Sequence, residues 1–252
     1  MNTMRLDVVT TAIRRPELLR RTYESFLGIG LLNLPSLRII LNIDPMGTGN
    51  PDESIRIAEA YADEVVVNIA PVANFATAVN WAWKQVESPV FLHLEDDWQL
   101  RRFIDFSDWL KQLQSIPEAC QSVLLRKHAR GLNPPFSFRP TLIKRSFIDA
   151  AGTIPAQMNP EKYLHQRLMD RAVSVDFGPE YAFFDLGRKW AKGKRLQKVD
   201  AVSGSDHISN DQPWFGVRDI SVVGVLDYSA CQIRWDWSMQ CMRLRKAWRG
   251  SR

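Results

Sequence analysis

Three consecutive carboxylates, Glu95, Asp96 and Asp97, follow an apolar run that starts at Val90 and are closed by Trp98. The run, bounded upstream by Ser88-Pro89, reads as a buried strand with the acids at its C-terminal end. Side chains alternate along a strand, which predicts Glu95 and Asp97 on one face and Asp96 on the other. Two carboxylates on one side repel, and a divalent cation shared with a substrate phosphate is the usual remedy. A solvated acidic turn is the plainer alternative. The burial of the preceding strand weighs against it, because ligands bind at strand ends in open α/β sheets. His93, inside the strand, reads as a core histidine, and Trp98 as either a packing or a stacking aromatic. Glu161, opening a predicted helix, is a candidate general base for an acceptor hydroxyl, or simply a partner of the helix dipole.

Positioning such a cluster needs a sheet, and the first hundred residues spell one. Leu6–Thr11 is a β-branched first strand, and Pro16 begins a helical pattern that runs to Gly28. Leu37–Ile43 is a second strand, residues from Pro51 to about Tyr61 a helix, and Glu64–Ile69 a third strand. Asn74–Val86 is a helix, and the acidic strand follows. This alternation predicts a mainly parallel sheet flanked by helices, with the donor half at 1–100. No G-x-G-x-x-G follows strand one, which argues against a dinucleotide fold.

Beyond Trp98 the alternation loosens. A helix is expected over Phe103–Leu113, strand composition over Ser122–Leu125 and Phe136–Ile143, and a helix from Pro160 to Arg171. Residues 101–226 read as the second half of the same domain, with a mobile loop from Asp200 to Asp219. The tail, 227–252, is basic and rich in tryptophan.

The formal net charge is +5, and it is unevenly spread. The last twenty-two residues hold Arg234, Arg243, Arg245, Lys246, Arg249 and Arg252 against Asp236 alone. A second basic run spans Arg188–Lys198 without an acid. Such patches suit a polyanion, a membrane surface or substrate phosphates, or else a solvated face. Cys120, Cys231 and Cys241 lack metal-ligand spacing and cannot all pair, which suggests a reducing, cytoplasmic setting. No signal peptide or spanning segment is expected.

These motifs, in this order, resemble the GT-A-fold, nucleotide-sugar-dependent glycosyltransferases, particularly the family-two-like group. Arg14-Arg15-Pro16-Glu17-Leu18-Leu19 is similar to their helix start after strand one, and Asn74–Asn80 to the helix preceding the metal strand. Leu94-Glu95-Asp96-Asp97-Trp98 is similar to their D-x-D motif, with Glu in the first place. The resemblance implies a GT-A-like, Rossmann-type fold and a nucleoside-diphosphate-sugar donor, with Mn²⁺ or Mg²⁺ as cofactor. It implies Asp97 as direct metal ligand and Glu95 on the ribose or on metal-bound water. Thr10, Thr11, Arg14, Asn74, Asn80 and Asp96 would line the donor site. Asp44 would read base or ribose, unless it is only the start of an aspartate-proline turn. Asp185, in Phe183-Phe184-Asp185-Leu186-Gly187, stands where the family commonly has a third metal ligand, usually histidine.

The expected activity is metal-dependent transfer of a sugar, with a UDP-sugar favoured as donor. Arg243, Arg245 and Lys246 are the expected acceptor-binding residues for a polyanion, with a hydroxymethylated base in phage-type DNA as the sharper form. A cell-envelope saccharide or lipid-linked acceptor, a non-catalytic sugar-nucleotide-binding module and a nucleotidyltransferase are the competing readings.

Overall fold

The computed structural model describes residues 5–116, 121–123, 136, 138–168, 174–176, 182–187, 196–198, 217–219, 240–241 and 243–244. The chain runs β1 (Arg5–Arg14), α1 (Pro16–Tyr23), a π-helical turn (Glu24–Gly30), β2 (Leu31–Leu32), β3 (Ser36–Gly47), α2 (Pro51–Glu59), β4 (Glu64–Ile69) and α3 (Phe75–Lys84). It continues through β5 (Val90–His93), β6 (Trp98–Leu100), β7 (Ile104–Asp105), α4 (Phe106–Gln114), β8 (Gln121–Val123), β9 (Thr141–Lys144), α5 (Ser146–Ala151) and α6 (Pro160–Leu168). Short strands β10 (Ser174–Asp176), β11 (Phe183–Asp185), β12 (Leu196–Lys198) and β13 (Val217–Asp219) complete the described elements.

Seven strands form the central sheet in the order β10-β8-β9-β5-β1-β3-β4. β3 and β5 flank β1 in parallel, β4 extends β3 in parallel, and β9 runs antiparallel between β5 and β8. The mixed, mainly parallel α/β architecture expected from the alternation is what the chain adopts. Residues on both sides of position 100 share this one sheet.

The period-two alternation sorts the strand residues onto two cores. Leu6, Val8, Leu37, Ile39, Leu41, Leu92 and Leu94 pack with Tyr23, Phe26 and Trp109 on one face. Val9, Ile40 and Phe91 pack with Val79, Trp83, Phe138 and Phe147 on the other. Helix ends are capped by short polar side chains. Asn50 accepts from the Asp52 amide, Asn74 from Thr77 and Asp105 from Ser107, each satisfying an otherwise orphaned N–H. Of the two tryptophans on α3 that cannot share a face, Trp83 is buried and Trp81 half-buried.

Three expectations change. The acidic strand stops at His93, and Asp96 and Asp97 form a turn, so strand alternation does not govern the three carboxylates. The first helix gives way to a π-helical turn from Glu24, where the Tyr23, Ser25 and Phe26 side chains are buried. Residues Val217–Asp219, inside the expected loop, form β13 against β12.

Candidate functional site

The strand order makes β1 a switch point: the chain moves from β1 to β3 and β4 on one side, then crosses to β5 on the other. Ligands in open α/β sheets bind at such a point, outside the strands' C-terminal ends. A small open cleft lies there, lined by Thr11, Ala12, Ile13, Arg15, Asp44, Met46, Phe75, Glu95 and Asp96. Of the residues singled out from the sequence, Thr11, Asp44, Glu95 and Asp96 are among those that line it.

Arg15, not singled out from the sequence, is the centre of the site. Its Nε donates to Asp96 Oδ2 at 2.9 Å, and its Nη2 donates to Asp96 Oδ1 at 2.6 Å and to Asp97 Oδ2 at 2.7 Å. The Ile13 amide adds a bond to Asp96 Oδ2 at 3.1 Å, and Thr22 Oγ1 donates to the Asp96 carbonyl. All three side chains are buried. Burial alone would lower the Arg15 pKa, but the charges and hydrogen bonds of Asp96 and Asp97 outweigh it and hold the guanidinium more firmly charged than usual. Burial also pushes the Asp96 carboxyl upward, against the pull of Arg15. Asp96 therefore anchors the guanidinium rather than the donor. Half-buried Glu95 accepts from Trp98 Nε1 at 3.0 Å, and the Trp98 ring packs edge-on against Phe183.

The late strand lies beside the acidic turn. In the β6–β11 pairing Asp185 sits opposite Trp98, and the Leu186 amide donates to the Asp97 carbonyl at 2.7 Å. Gly187 is pressed so close that a Cβ there would overlap Asp97 Oδ2.

Asp44 is buried at the cleft wall, and desolvation pushes its pKa up against hydrogen bonds from Asn42 and the Asn74 amide. Asn42 Nδ2 donates to Asp44 Oδ1 at 2.9 Å, and the Asn74 N–H donates to Asp44 Oδ2 at 3.1 Å.

Several expected site residues do other work. Thr10 is buried on the opposite face, where its Oγ1 accepts from Tyr23 Oη at 2.9 Å, because strand alternation sends it away from Thr11. Arg14 does not line the cleft; its neighbour Arg15 does. Asn74 caps α3 and donates its side-chain amide to the Ala156 carbonyl. Asn80 brackets Ile154, donating to its carbonyl at 2.7 Å and accepting from its amide at 3.0 Å. Neither asparagine is among the residues that line the cleft. Glu161 Oε1 accepts from the Phe138 amide at 3.1 Å and is not among the residues that line the cleft. Arg243 pairs with Glu24 on the π-helical turn, while Arg245 and Lys246 lie outside the described residues. His93 is buried against Phe138, as a core histidine.

Neither a protein-family model nor a curated protein sequence matches the chain. Solved structures do share its fold. The mannosyltransferase PcManGT from Pyrobaculum calidifontis, in complex with GDP-Man and Mn²⁺, aligns with a TM-score of 0.55 at 13% identity, covering 75% of this chain and 60% of that one. S. aureus TarS 1–349 in complex with UDP aligns with a TM-score of 0.53 at 10% identity, covering 69% of this chain and 59% of that one. S. aureus TarS 1–349 alone gives 0.51 at 10% identity, covering 75% and 62%. The chain thus spans about 60% of the length of these structures. The fold is that of the GT-A-type glycosyltransferases.

Proposed function

We propose that the chain is a glycosyltransferase that moves a sugar from a nucleoside-diphosphate sugar, a UDP-sugar in the first instance, to an acceptor hydroxyl. The observation that carries this reading is the cleft at the β1 switch point, lined by Asp44, Glu95 and Asp96, with Asp97 bonded to the Arg15 that also lines it. Asp44 offers carboxylate oxygens to ribose or base donors. Phe75 and Met46 supply apolar surface beside it.

The charge balance supports a metal. The cleft is lined by one guanidinium against the three carboxylates of Asp44, Glu95 and Asp96, so a diphosphate would enter a region of its own sign. Mg²⁺ and Mn²⁺ sites in phosphate chemistry commonly take one or two carboxylates and leave the remaining positions to phosphate and water. Among the described residues no group of three or more His, Cys, Asp or Glu is placed to hold a metal. Glu95 and Asp97 would therefore hold it as a two-carboxylate site, with Asp185 beside the same turn. When bound, such an ion stabilises the charge that develops on the leaving diphosphate.

The chain's own residues divide the remaining work. Asp96 fixes Arg15, Arg15 fixes the side-chain position of Asp97, and the Leu186 amide fixes the turn from the other side. In the transfer, the acceptor hydroxyl oxygen bonds to the anomeric carbon, the bond to the diphosphate oxygen breaks, and the hydroxyl proton passes to water or to the leaving diphosphate. For the acceptor we propose a polyanion, on the surplus of basic residues in the tail.

The test is nucleotide binding and donor turnover in Mn²⁺, Mg²⁺ or chelator. Wild type should bind UDP in Mn²⁺ and lose most of that affinity in chelator. Asp97→Ala should lose metal-dependent donor binding and transfer while staying folded, since Asp96 still balances Arg15. Asp44→Ala should raise donor KM more than it lowers kcat, because ribose or base contacts are equally strong in ground and transition states. Near wild-type transfer by Asp97→Ala, or no nucleotide binding under any condition, would overturn the reading.

A further inference from the structure

Asp44 is the end of a directional chain of side-chain amides. Asn68 Nδ2 donates to Asn42 Oδ1 at 2.7 Å, and Asn42 Nδ2 donates to Asp44 Oδ1 at 2.9 Å. Sheet geometry imposes this arrangement. Asn42 and Asn68 are register partners across β3 and β4, which places their side chains together. Asn42 and Asp44 are two apart on β3 and therefore on one face. Asn42 is completely buried, so the amide that faces Asp44 cannot exchange its partner for water. With its oxygen taken by Asn68, Asn42 has only N–H to offer, and Asp44 Oδ1 can only accept from it.

We propose that Asn42, oriented by Asn68, is a positioning residue that keeps Asp44 a pure hydrogen-bond acceptor toward the cleft. This deepens the proposed function and rests on its reading that Asp44 contacts the nucleoside. The chemical consequence is selectivity. A ligand must bring N–H or O–H donors to this wall, as ribose hydroxyls and base imino groups do. A group that offers only acceptor oxygens, such as a phosphate, is repelled.

The relay opposes the forces that would protonate Asp44. Desolvation and the nearby charge of Asp96 both push its carboxyl upward, and the bonds from Asn42 and the Asn74 amide push back. The charged groups lining the cleft with Asp44 are Arg15, Glu95 and Asp96; α3 presents a backbone amide, and β4 the neutral Asn68. Removing a bond to the charged form raises the pKa.

The experiment follows the Asp44 carboxyl ¹³C resonance across pH without ligand, and in parallel UDP and GDP binding in Mn²⁺. Wild type, Asn42→Leu, Asn68→Ala and Asn42→Leu/Asp44→Asn are compared. Asn42→Leu should move the Asp44 midpoint upward by about one pH unit, with a smaller move in Asn68→Ala. Nucleotide binding should then weaken about tenfold on the acid side of the midpoint and be unchanged well above it. In the Asp44→Asn background the pH dependence of the Asn42→Leu effect should vanish. A merely structural role would weaken binding equally at every pH, and that result, or an unmoved midpoint, overturns the proposal. Half-buried Asn68 provides the second variant should Asn42→Leu fail to fold. If the midpoint moves but neither nucleotide binds wild type, the relay stands and the donor reading falls.

Discussion

Arg15 shows how a site residue can be missed by position. The family resemblance covered Arg14 and Arg15 together and pointed to Arg14, but the register of β1 shifts between Ile13 and Arg14, which sequence periodicity does not report. The same holds for Gly187, an unremarkable glycine in sequence whose missing Cβ lets the backbone meet Asp97. Gly187→Ala should push the Asp97 carboxylate from its place, costing about 1–3 kcal/mol of stability as overpacking does and most of the metal-dependent nucleotide affinity. Denaturation and calorimetry on the same variant would check it; wild-type values of both would show that the contact is dispensable. His93 gives a pH prediction with a definite sign. Burial pushes its pKa down to about 3, and neither ring nitrogen has a hydrogen-bond partner among the described residues. An unfolded histidine titrates near 6.5, so the stability that neutral His93 permits is full above about pH 6.5 and is lost as pH falls toward its folded value. By about pH 5 the loss should reach ~2 kcal/mol. Urea midpoints for wild type and His93→Phe at neutral and acid pH would read it, and an identical acid loss in both would refute the assignment.

At the scale of elements, the first hundred residues were legible because period and punctuation agreed. β-branched runs, Pro16 and Pro51 at helix starts, and the apolar spacing of α3 all pointed to the same alternation. The acidic segment was legible in place but not in conformation. Apolar and acidic residues up to Asp97 continue a strand pattern, whereas the bonds from Arg15, Ile13 and Thr22 turn the chain after His93. Such long-range partners leave no local signature. Asn74 and Asn80 show the converse, since the family resemblance pointed to them as donor-site residues, whereas their side chains bond to the backbone of Ala156 and Ile154. Asn80 clamps the backbone of Ile154 at both its amide and its carbonyl, which ties α3 to the segment between α5 and α6. Asn80→Leu leaves both Ile154 groups without that partner, at about 1–3 kcal/mol for each buried group left unsatisfied. Amide hydrogen exchange should show local loss of protection at Ile154 with the β1–β3 sheet unaffected, and unchanged exchange at Ile154 would remove the clamp.

Across the whole molecule, the basic tail and the first hundred residues are separated in sequence but meet in space at Arg243 and Glu24. Arg243, in the described part of the tail, pairs with Glu24 on the π-helical turn that continues α1. Both side chains keep contact with solvent, so the pair contributes at most about 1 kcal/mol and its importance is one of placement. It sets Arg243 on the outer side of the helix whose first residues follow Arg15, and it commits that guanidinium to a carboxylate. A polyanionic acceptor that the tail binds would therefore count Arg245 and Lys246 and not Arg243 among its phosphate contacts. Each such contact releases a counterion, so the logarithm of acceptor affinity should fall with the logarithm of salt concentration. Changing Arg243, Arg245 and Lys246 together to Ala should reduce the slope by about two contacts rather than three, and Arg243→Ala alone should leave it unchanged. Donor hydrolysis, which needs no acceptor, should not respond to either variant. The measurement is binding of a hydroxymethylated duplex, and of an unmodified one, across a salt series. A full three-contact change would mean that Arg243 leaves Glu24 when the acceptor arrives. A wild type that binds no nucleic acid, or binds it without salt dependence, would end the polyanion reading and return the acceptor to a saccharide or lipid-linked hydroxyl.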